Sequence, residues 1–589
     1  MRMLDSNLDE LTKWLNIRES SLKRAREPYE QLWKDIREIY EPALGKHLIG
    51  EDIDTWQEGA KREDEKIFNS TPRIKLHRLA AGLQSGITNQ ATSWFKFASK
   101  DRKAEFSARV REYLDKGTEY IQGVLARSNV YPTLDQIYLR LGAFGQACAI
   151  LVPDEDAEVR LILCDEGSYY IAENSRGRVD TCLRTMRMTL AQCADEFGAD
   201  SLPDWASKRL ADGNDEELIT CYNLIYPASD GPDISKDNLN EFASIYWTTG
   251  ASNHAVKHNQ YSKHILDIRG YSYNPIIAPR WSVRGTTSYG CGPGQIGLPD
   301  AKELQVLELA KLRLVELESN PSLLVPASMR GQAINSGPGG IVFYNDVLGQ
   351  QGKQAINRLF ETRASIEAVQ VVITECEHRL SQIFYTDLLA MMLNQDITPR
   401  QMTAREVNER ASERVSLLGP VLTRLNNDLL QPLISGVWRL CIQRAESNEA
   451  QLGYDYSGLL DFPTGSEEPK IEFVSKLHVE QQASDRLIGL YRLQEFATGL
   501  AQVDPSVIRK LDAAKMLDEA ARSLNEHGAV RDQAEYEQMM QAEAQMQQQQ
   551  LAMQQQQVDA QTVRDLAGAK LTDGETALEL LAADKGGLG

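Results

Sequence analysis

The sequence predicts an α+β fold, because helical and β-type hydrophobic patterns occupy separate regions of the chain. In residues 1–142 apolar side chains recur about every 3.6 positions, as on one face of a helix. Residues 143–298 instead carry short apolar runs separated by turn residues, a pattern typical of strands. Beyond residue 298, long segments return to helical spacing.

Composition indicates a folded protein that does not coat nucleic acid. The chain has 589 residues, of which 42% are hydrophobic and 25% charged, enough apolar material for a sizeable core. Its formal net charge is −20, whereas surfaces that wrap nucleic acid are rich in Lys and Arg. Brief contact with DNA remains compatible with this charge.

The cysteines and the lengths of the apolar runs indicate the compartment in which the protein is made. The eight cysteines are scattered and form no CxxC pair, so free thiols in a reducing compartment are expected. The polar start lacks the apolar segment of a signal peptide, and no run of 18 apolar residues occurs. We therefore expect a protein made in the cytosol, without a membrane partner.

Periodicity places elements in the first half of the chain. Helices are predicted over 11–36, 73–90 and 106–125, and a short one over 189–197. The segment Asn174-Ser175-Arg176-Gly177 is a hairpin signal. We interpret 143–280 as one mixed sheet with short helices. Its predicted strands are 147–152, 159–164, 169–172, 179–188, 219–225, 242–247 and 265–271.

The second half is predicted to contain long helices. One covers 300–318, with Asp300 as its cap and Glu303 completing a capping box, and its apolar positions cover more than one face. Such a helix must be covered on several sides, by its own fold or by neighbouring subunits. A second helix covers about 355–392, and a third covers 403–445 with interruptions at Gly419-Pro420, Pro432 and Gly436.

The C-terminal part is predicted to contain one strand, 471–474, followed by helices. Gln dominates 538–557, and no Pro or Gly lies between Gly528 and Gly568. One long helix is favoured there because Gln, Ala, Met and Glu are good helix formers. A disordered Gln-rich tail is the alternative.

Two motifs match phosphate-binding and zinc-binding patterns, but the residues around them do not fit these functions. Residues 292–297 match GxGxxG, but no strand leads directly into them and Pro293 removes a phosphate-binding N–H. His254, His258 and His264 have zinc-like spacing in a loop-like context. We predict no catalytic residues, no cofactor and no metal, and expect that the protein is not an enzyme.

Several short stretches, in this order and spacing, resemble the portal (head–tail connector) proteins of short-tailed, podovirus-type bacteriophages. They are AAGLQSGIT at 80–88, SWF at 93–95, RW at 280–281, YG at 289–290, GP at 292–293, NP at 320–321, LVP at 324–326, MTAREV at 402–407, LGPV at 418–421, and the Gln-rich end. No single stretch is specific. One departure is Cys291, where relatives are expected to carry an acidic or basic residue.

The resemblance implies a homo-oligomeric ring, typically of twelve subunits, at a unique vertex of the phage capsid. Double-stranded DNA passes through such a ring during packaging and ejection. The partners implied are the terminase large subunit, tail adaptor proteins, and the major capsid and scaffolding proteins. The implied location is the virion, with the host cytoplasm during assembly.

The same resemblance implies a portal-type fold: an α/β wing, two long stem helices, a small β-containing clip, a channel loop and a C-terminal helical crown and barrel. The predicted bounds are wing 1–298 (helical 1–142, mixed sheet 143–298), stem helix 1 299–319, clip 320–357, stem helix 2 358–389, channel loop 390–402, return to the wing 403–476, crown 477–528 and Gln-rich barrel or tail 529–589.

An acidic channel wall lets duplex DNA slide, because many Lys–phosphate or Arg–phosphate pairs would hold it tightly. A few polar or basic side chains of the channel loop are the candidates for DNA contact: Asn394, Gln395, Thr398, Arg400 and Gln401. An ordinary linker between two helices is the alternative for this segment.

Two apolar runs of the clip are the candidates for strand pairing between subunits or for docking the motor. They comprise Leu323, Leu324, Val325, Ile341, Val342, Phe343 and Tyr344. Packing inside one subunit is the alternative. For the whole protein, the competing hypothesis is a soluble oligomeric adaptor or scaffold, acting as a monomer or dimer, that does not contact DNA.

Overall fold

The computed structural model divides the chain into two compact units, 1–481 and 482–589. The structure describes residues 2–45, 48, 66–98, 108–232, 241–248, 263–285, 287–319, 321, 323–326, 341–344, 357–358, 366–386, 418–446 and 469–474, and single positions 493, 516–517, 546, 553 and 561. The fold below is that of the first unit. The predicted crown and barrel lie almost wholly outside the described residues and stay predictions.

Four helices and one strand form the N-terminal part. They are α1 (Arg2–Tyr40), α2 (Thr71–Ile87), β1 (Phe95–Ala98), α3 (Ala108–Arg127) and α4 (Val130–Phe144). The predicted helices are confirmed, whereas β1 interrupts a region that we expected to be helical. Helices α2 and α4 pack closely: a Cβ on Gly142 would lie 2.7 Å from Leu76 Cδ1.

The middle of the chain forms two antiparallel sheets. Its elements are β2 (Ala149–Asp154), β3 (Glu158–Leu163), β4 (Tyr169–Glu173), β5 (Val179–Thr189), α5 (Leu190–Phe197), α6 (Asp204–Ala211), β6 (Leu218–Pro227), β7 (Phe242–Thr248), β8 (His264–Tyr271) and β9 (Ile276–Ile277). One sheet has the order β3-β2-β9 and the other β4-β5-β6-β7-β8.

The prediction of one mixed sheet is therefore wrong, although all seven predicted strands are present. β2 and β3, and likewise β4 and β5, are joined by connections too short for a crossover, so they pair as antiparallel hairpins. The remaining pairs of the five-stranded sheet are also antiparallel. At the predicted turn, Asn174 Oδ1 accepts from the backbone N–H groups of Arg176 and Arg178. Gly177 has φ +72°, the left-handed conformation that this turn requires.

The next elements are a helical pair with a small sheet between its members. They are α7 (Pro293–Ile296), α8 (Leu298–Ser319), β10 (Leu323–Pro326), β11 (Ile341–Tyr344), β12 (Asn357–Arg358) and α9 (Ile366–Ile383). The three strands have the order β11-β10-β12, so this small sheet is mixed.

Three predicted helix bounds need correction. Helix α8 begins at Leu298, so Asp300 lies in its first turn instead of capping it. Arg358 lies in β12, whereas the second stem helix was predicted to begin there. That helix was also expected to run unbroken to about residue 392, but α9 stops at Ile383 and Tyr385 adopts φ +53°, which interrupts it.

Residues 418–446 are helical throughout, which corrects the predicted interruptions. A π-helical turn, Asn426–Leu430, precedes α10 (Gln431–Glu446), which begins one residue before Pro432. A π-turn relaxes the spacing just where Pro lacks the N–H of a regular helix. The final strand, β13 (Lys470–Phe473), confirms the predicted strand and pairs antiparallel with β1.

One large apolar core joins these elements. It contains side chains of α1 to α4, both sheets, α10, and only the paired bases of α8 and α9. A second cluster packs the N-terminal half of α1 on the five-stranded sheet, and a third packs α5 and α6 on the same sheet. The remaining length of α8 extends beyond the core.

Candidate functional site

The base of the α8–α9 pair is anchored to the N-terminal helices. Gln305 on α8 accepts hydrogen bonds at Oε1 from the backbone N–H groups of Phe68 and Asn69, at 2.8 and 2.9 Å. On α9, Glu377 accepts from the Thr71 hydroxyl at 3.1 Å. The start of α2 is thereby fastened to both helices of the pair.

An ion-pair cluster closes the base of the pair. Arg379 donates to Asp300 and Glu303, both at 2.7 Å, and the Cys376 thiol donates to the Asp300 carbonyl oxygen at 3.1 Å. Asp300, Glu303 and Cys376 lie close enough to hold a metal ion. However, Arg379 already neutralises the carboxylates, and burial raises the pKa of the Cys376 thiol. The arrangement therefore acts as a clasp between helices.

Above this base, apolar side chains of α8 are exposed. Leu304 is fully buried, whereas Val306 is 66% exposed and Leu312 51% exposed. Val315 and Leu317 are also exposed, and Val371 and Val372 continue the exposure on α9. Several large apolar side chains on one helical element indicate a surface that another molecule covers.

The GxGxxG match is explained by close packing. Gly145 ends α4 with φ +81°, and a Cβ there would lie 2.3 Å from the Gly292 nitrogen. In turn, a Cβ on Gly290 would lie 2.2 Å from the Gly145 oxygen, and one on Gly294 2.3 Å from the Ala143 oxygen. These glycines let the loop before α8 lie against the end of α4, and close packing accounts for them.

Arg280 ties the same loop to distant elements. It is 2% exposed and donates to Glu173 Oε2 at 2.6 Å and to the Gly177 oxygen at 2.7 Å. Asp428 of the π-turn also accepts from it, at 3.4 Å. Burial raises the pKa of the Asp428 carboxyl, which the nearby guanidinium opposes. Arg280 of the RW motif thus connects the loop before α8 to the hairpin and to the π-helical turn.

The sequence matches the family described as "Bacteriophage head to tail connecting protein" over residues 12–527. It is 31% identical over 525 residues to a "Probable portal protein" of Bordetella phage BPP-1, with 87% of this chain and 86% of that protein covered. The chain belongs to the bacteriophage head-to-tail connecting proteins. Membership places it in the virion.

A second relative and two solved structures extend the comparison. The "Portal protein" of Salmonella phage epsilon15 is 28% identical over 518 residues, with 88% of this chain and 87% of that protein covered. A chain of a native gene transfer agent virion is 13% identical, with 72% of this chain and 85% of that chain covered, at a TM-score of 0.32. A chain from the neck of an empty gene transfer agent particle is 12% identical, with 70% of this chain and 82% of that chain covered, at a TM-score of 0.30.

The predicted clip residues lie in the small sheet of this family member. Leu323 to Pro326 pair in parallel with Ile341 to Tyr344, and Leu323 and Leu324 also pair with β12. Val325 is buried and Val342 is 44% exposed. Val325 thus packs within its own subunit, and β11 pairs on one side only among the described strands. The proposed roles of these residues in subunit pairing and motor docking stay predictions.

The predicted channel-loop residues, Asn394, Gln395, Thr398, Arg400 and Gln401, lie outside the described residues, as do His254 and His258. His264 contacts the Ser201 carbonyl oxygen at 2.9 Å. Across the part of the chain that the structure describes, no helix is long and apolar enough to cross a membrane.

A basic surface on α2 is a feature that the sequence analysis does not single out. Ile74, His77, Arg78 and Ala81 are exposed on one face of the helix and, with Arg73, line a shallow groove. The available signal was the absence of Asp and Glu between 71 and 87, a segment with four basic side chains in an acidic chain.

Proposed function

We propose that the chain forms a closed ring, of about twelve copies, at one vertex of the capsid and serves as the passage for double-stranded DNA. In this proposal the ring docks the terminase large subunit during packaging and tail adaptor proteins afterwards, and contacts the major capsid and scaffolding proteins. Its role is mechanical and non-enzymatic. Assembly takes place in the host cytoplasm.

The observation that carries this proposal is the exposed apolar length of α8. Four large apolar side chains, Val306, Leu312, Val315 and Leu317, are each at least 44% exposed. Burying a Val or Leu side chain fully contributes roughly 1.5–3 kcal/mol. Further copies of the chain, related by rotation, can cover both flanks of such a helix and close into a ring.

The negative net charge of the chain supports the proposal that DNA passes through the ring. A net charge of −20 favours a wall that repels phosphate and releases DNA. Contact is then limited to a few amide, hydroxyl or guanidinium groups, for which Asn394, Gln395, Thr398, Arg400 and Gln401 are our candidates.

Docking of the motor is proposed for the clip. Its candidate residues are Leu323, Leu324, Val325, Ile341, Val342, Phe343 and Tyr344. Among the described strands β11 is an edge strand, and an edge strand offers unpaired backbone groups to a partner strand. Exposure of Val342 adds an apolar contact at this edge.

A complementation experiment distinguishes this function from that of an adaptor. A phage with a disrupted copy of this gene is grown with or without the wild-type chain supplied in trans, and DNase-resistant DNA per capsid is measured. The proposal predicts heads without DNA when the chain is missing. DNA-filled heads that lack tails would instead support an adaptor that never contacts DNA.

Loop variants test the DNA contacts separately. Arg400→Gln and Gln395→Ala are supplied in the same system, with Lys208→Gln, an exposed residue of α6, as the control. We expect lower DNA retention for the loop variants only. Unchanged packaging and retention would remove the loop from the proposal and leave the ring intact.

A further inference from the structure

A stripe on α2 combines positive charge with apolar surface. We define the α2 stripe as Ile74, His77, Arg78 and Ala81, whose spacing places them on one face of the helix. All four side chains are exposed, and Ile74 is 46% exposed. Along the helix axis, the basic residues His77 and Arg78 lie between the apolar residues Ile74 and Ala81.

Part of this positive charge has no partner in the described chain. Glu41 pairs with Arg73 at 2.6 Å and with His77 at 2.9 Å. Across the described residues, by contrast, no carboxylate pairs with Arg78 or with Lys75 beside it. These two cations are free to pair with a second molecule.

A stripe of opposite charge lies on α9. We define the α9 stripe as Glu367, Val371 and Glu375, which are four residues apart and exposed. Val371 is 58% exposed, and neither glutamate forms an ion pair with any described residue. This stripe is acidic at its ends and apolar at its centre, whereas the α2 stripe is apolar at its ends and basic at its centre. Both stripes therefore offer exposed apolar surface, and their charges are opposite.

The two stripes cannot meet within one chain. The chain's own α2 contacts α9 at Glu377, which accepts from Thr71. Glu375 is two residues from Glu377, and two residues turn a helix by about 200°. The α9 stripe therefore faces away from the α2 of the same chain, and contact between the stripes requires a second copy.

We propose that the α2 stripe of one copy docks on the α9 stripe of the next copy, with the exposed apolar side chains of the two stripes in contact and Arg78 and the adjacent Lys75 facing the acidic stripe. The contact is heterologous, since different surfaces meet, and repetition of such a contact closes a ring. This inference rests on the ring of the proposed function. Exposed Ile74 and Ala81 at the two ends of the stripe favour a protein helix over a phosphate backbone as its occupant.

Charge reversal and its rescue test this contact in the full-length chain. The α2 set is Lys75→Glu with Arg78→Glu, the α9 set is Glu367→Lys with Glu375→Lys, and a third protein combines both sets. The matched control reverses two exposed basic residues outside the stripes, Arg176→Glu with Lys208→Glu. Native mass spectrometry across a dilution series gives the concentration at which rings dissociate, and circular dichroism verifies folding.

We expect each single set to raise the concentration at which rings dissociate at least about tenfold, because like charges across an interface repel. The combined protein should regain most of the wild-type ring, and the control should match wild type. If wild type forms rings and both single sets keep them at control concentrations, the inference is wrong and the proposed function stands. If wild type forms no ring, the proposed function itself fails.

A second readout tests the alternative occupant. Binding of a fluorescein-labelled DNA duplex is measured for wild type and for the α2 set. We expect equal binding. Weaker binding by the α2 set with an intact ring would assign the stripe to nucleic acid and overturn the contact between copies.

Discussion

Arg379 on α9 donates to the carboxylate of Asp300 on α8 at 2.7 Å, and this pair joins the bases of the two long helices. Leu304 and Leu380, close to this pair, are fully buried. Further from the base, Val306 of α8 and Val371 of α9 are exposed. The clasp therefore lies within the buried base of the pair, and the exposed part extends beyond it.

Removing the clasp should weaken the helix pair in a salt-dependent way. Arg379→Ala leaves Asp300 and Glu303 close together without their shared cation, so we expect a lower Tm at low ionic strength. In 1 M salt, where the screening length is about 3 Å, the difference should shrink. Thermal unfolding at both salt concentrations measures this, with Arg209→Ala, which breaks the exposed pair with Glu217, as the control. An equal Tm for Arg379→Ala and wild type at low salt would contradict the clasp.

Substitution of two glycines by alanine distinguishes the cost of backbone strain from the cost of a steric clash. Gly145 and Gly213 both have φ +81°, but a Cβ on Gly145 would meet the Gly292 nitrogen at 2.3 Å, whereas one on Gly213 would meet nothing within 4 Å. Gly213→Ala should cost roughly 1–2 kcal/mol. Gly145→Ala should cost more than about 4 kcal/mol or prevent folding.

Soluble yield and Tm of the two glycine variants measure this difference. Similar losses for both would mean that the loop before α8 does not need its close approach to α4.

Glu166 should make stability depend on pH. It is fully buried, and burial raises the pKa of its carboxyl to about 8, although Arg140 at 3.0 Å opposes the shift. Between the ordinary value of 4.5 and about 8, the folded state binds more protons than the unfolded state. The free energy of unfolding should therefore fall as pH rises through this window, by at most about 1.4 kcal/mol per pH unit.

Glu166→Gln removes the titrating group and should flatten this part of the pH profile. Thermal unfolding at pH 5, 6.5 and 8 compares the two proteins. Parallel profiles for wild type and variant would show that Glu166 is ionised throughout.

Two leucines of α8 should respond differently to truncation. Leu304 is buried in the subunit core, so Leu304→Ala should destabilise the single chain by about 2–5 kcal/mol. Leu312 is half exposed, so Leu312→Ala should leave the dissociated chain within about 0.5 kcal/mol of wild type. It should nevertheless raise the concentration at which rings dissociate.

Tm of the dissociated chain and native mass under dilution measure the two effects separately. An unchanged ring for Leu312→Ala would mean that this side chain is not covered by another copy.

Local patterns predicted most of the first unit's elements. The hairpin at 174–177 and the helix capped by Thr189 depend on a few adjacent residues, and both are confirmed. The pairing of Phe95 with Phe473 joins segments far apart in sequence, so no local pattern indicates it. The same holds for the close approach of Gly145 and Gly292.

At other positions, tertiary packing determined the structure against the preference of the local sequence. The segment around Tyr385 contains no Pro or Gly, yet the helix ends there, where Phe384 packs on Tyr40 and Tyr385 on Trp281. Of the candidate site, the exposed apolar length of α8 follows from its sequence pattern. The two charged stripes could not be predicted, because exposure and the lack of an ion-pair partner are properties of the folded chain.

The native mass of the purified full-length chain decides whether copies of it close into a ring. We expect one dominant species near twelve times the subunit mass of 66.0 kDa, with an axial hole in negative-stain images. A stable monomer or dimer at every salt concentration would contradict it.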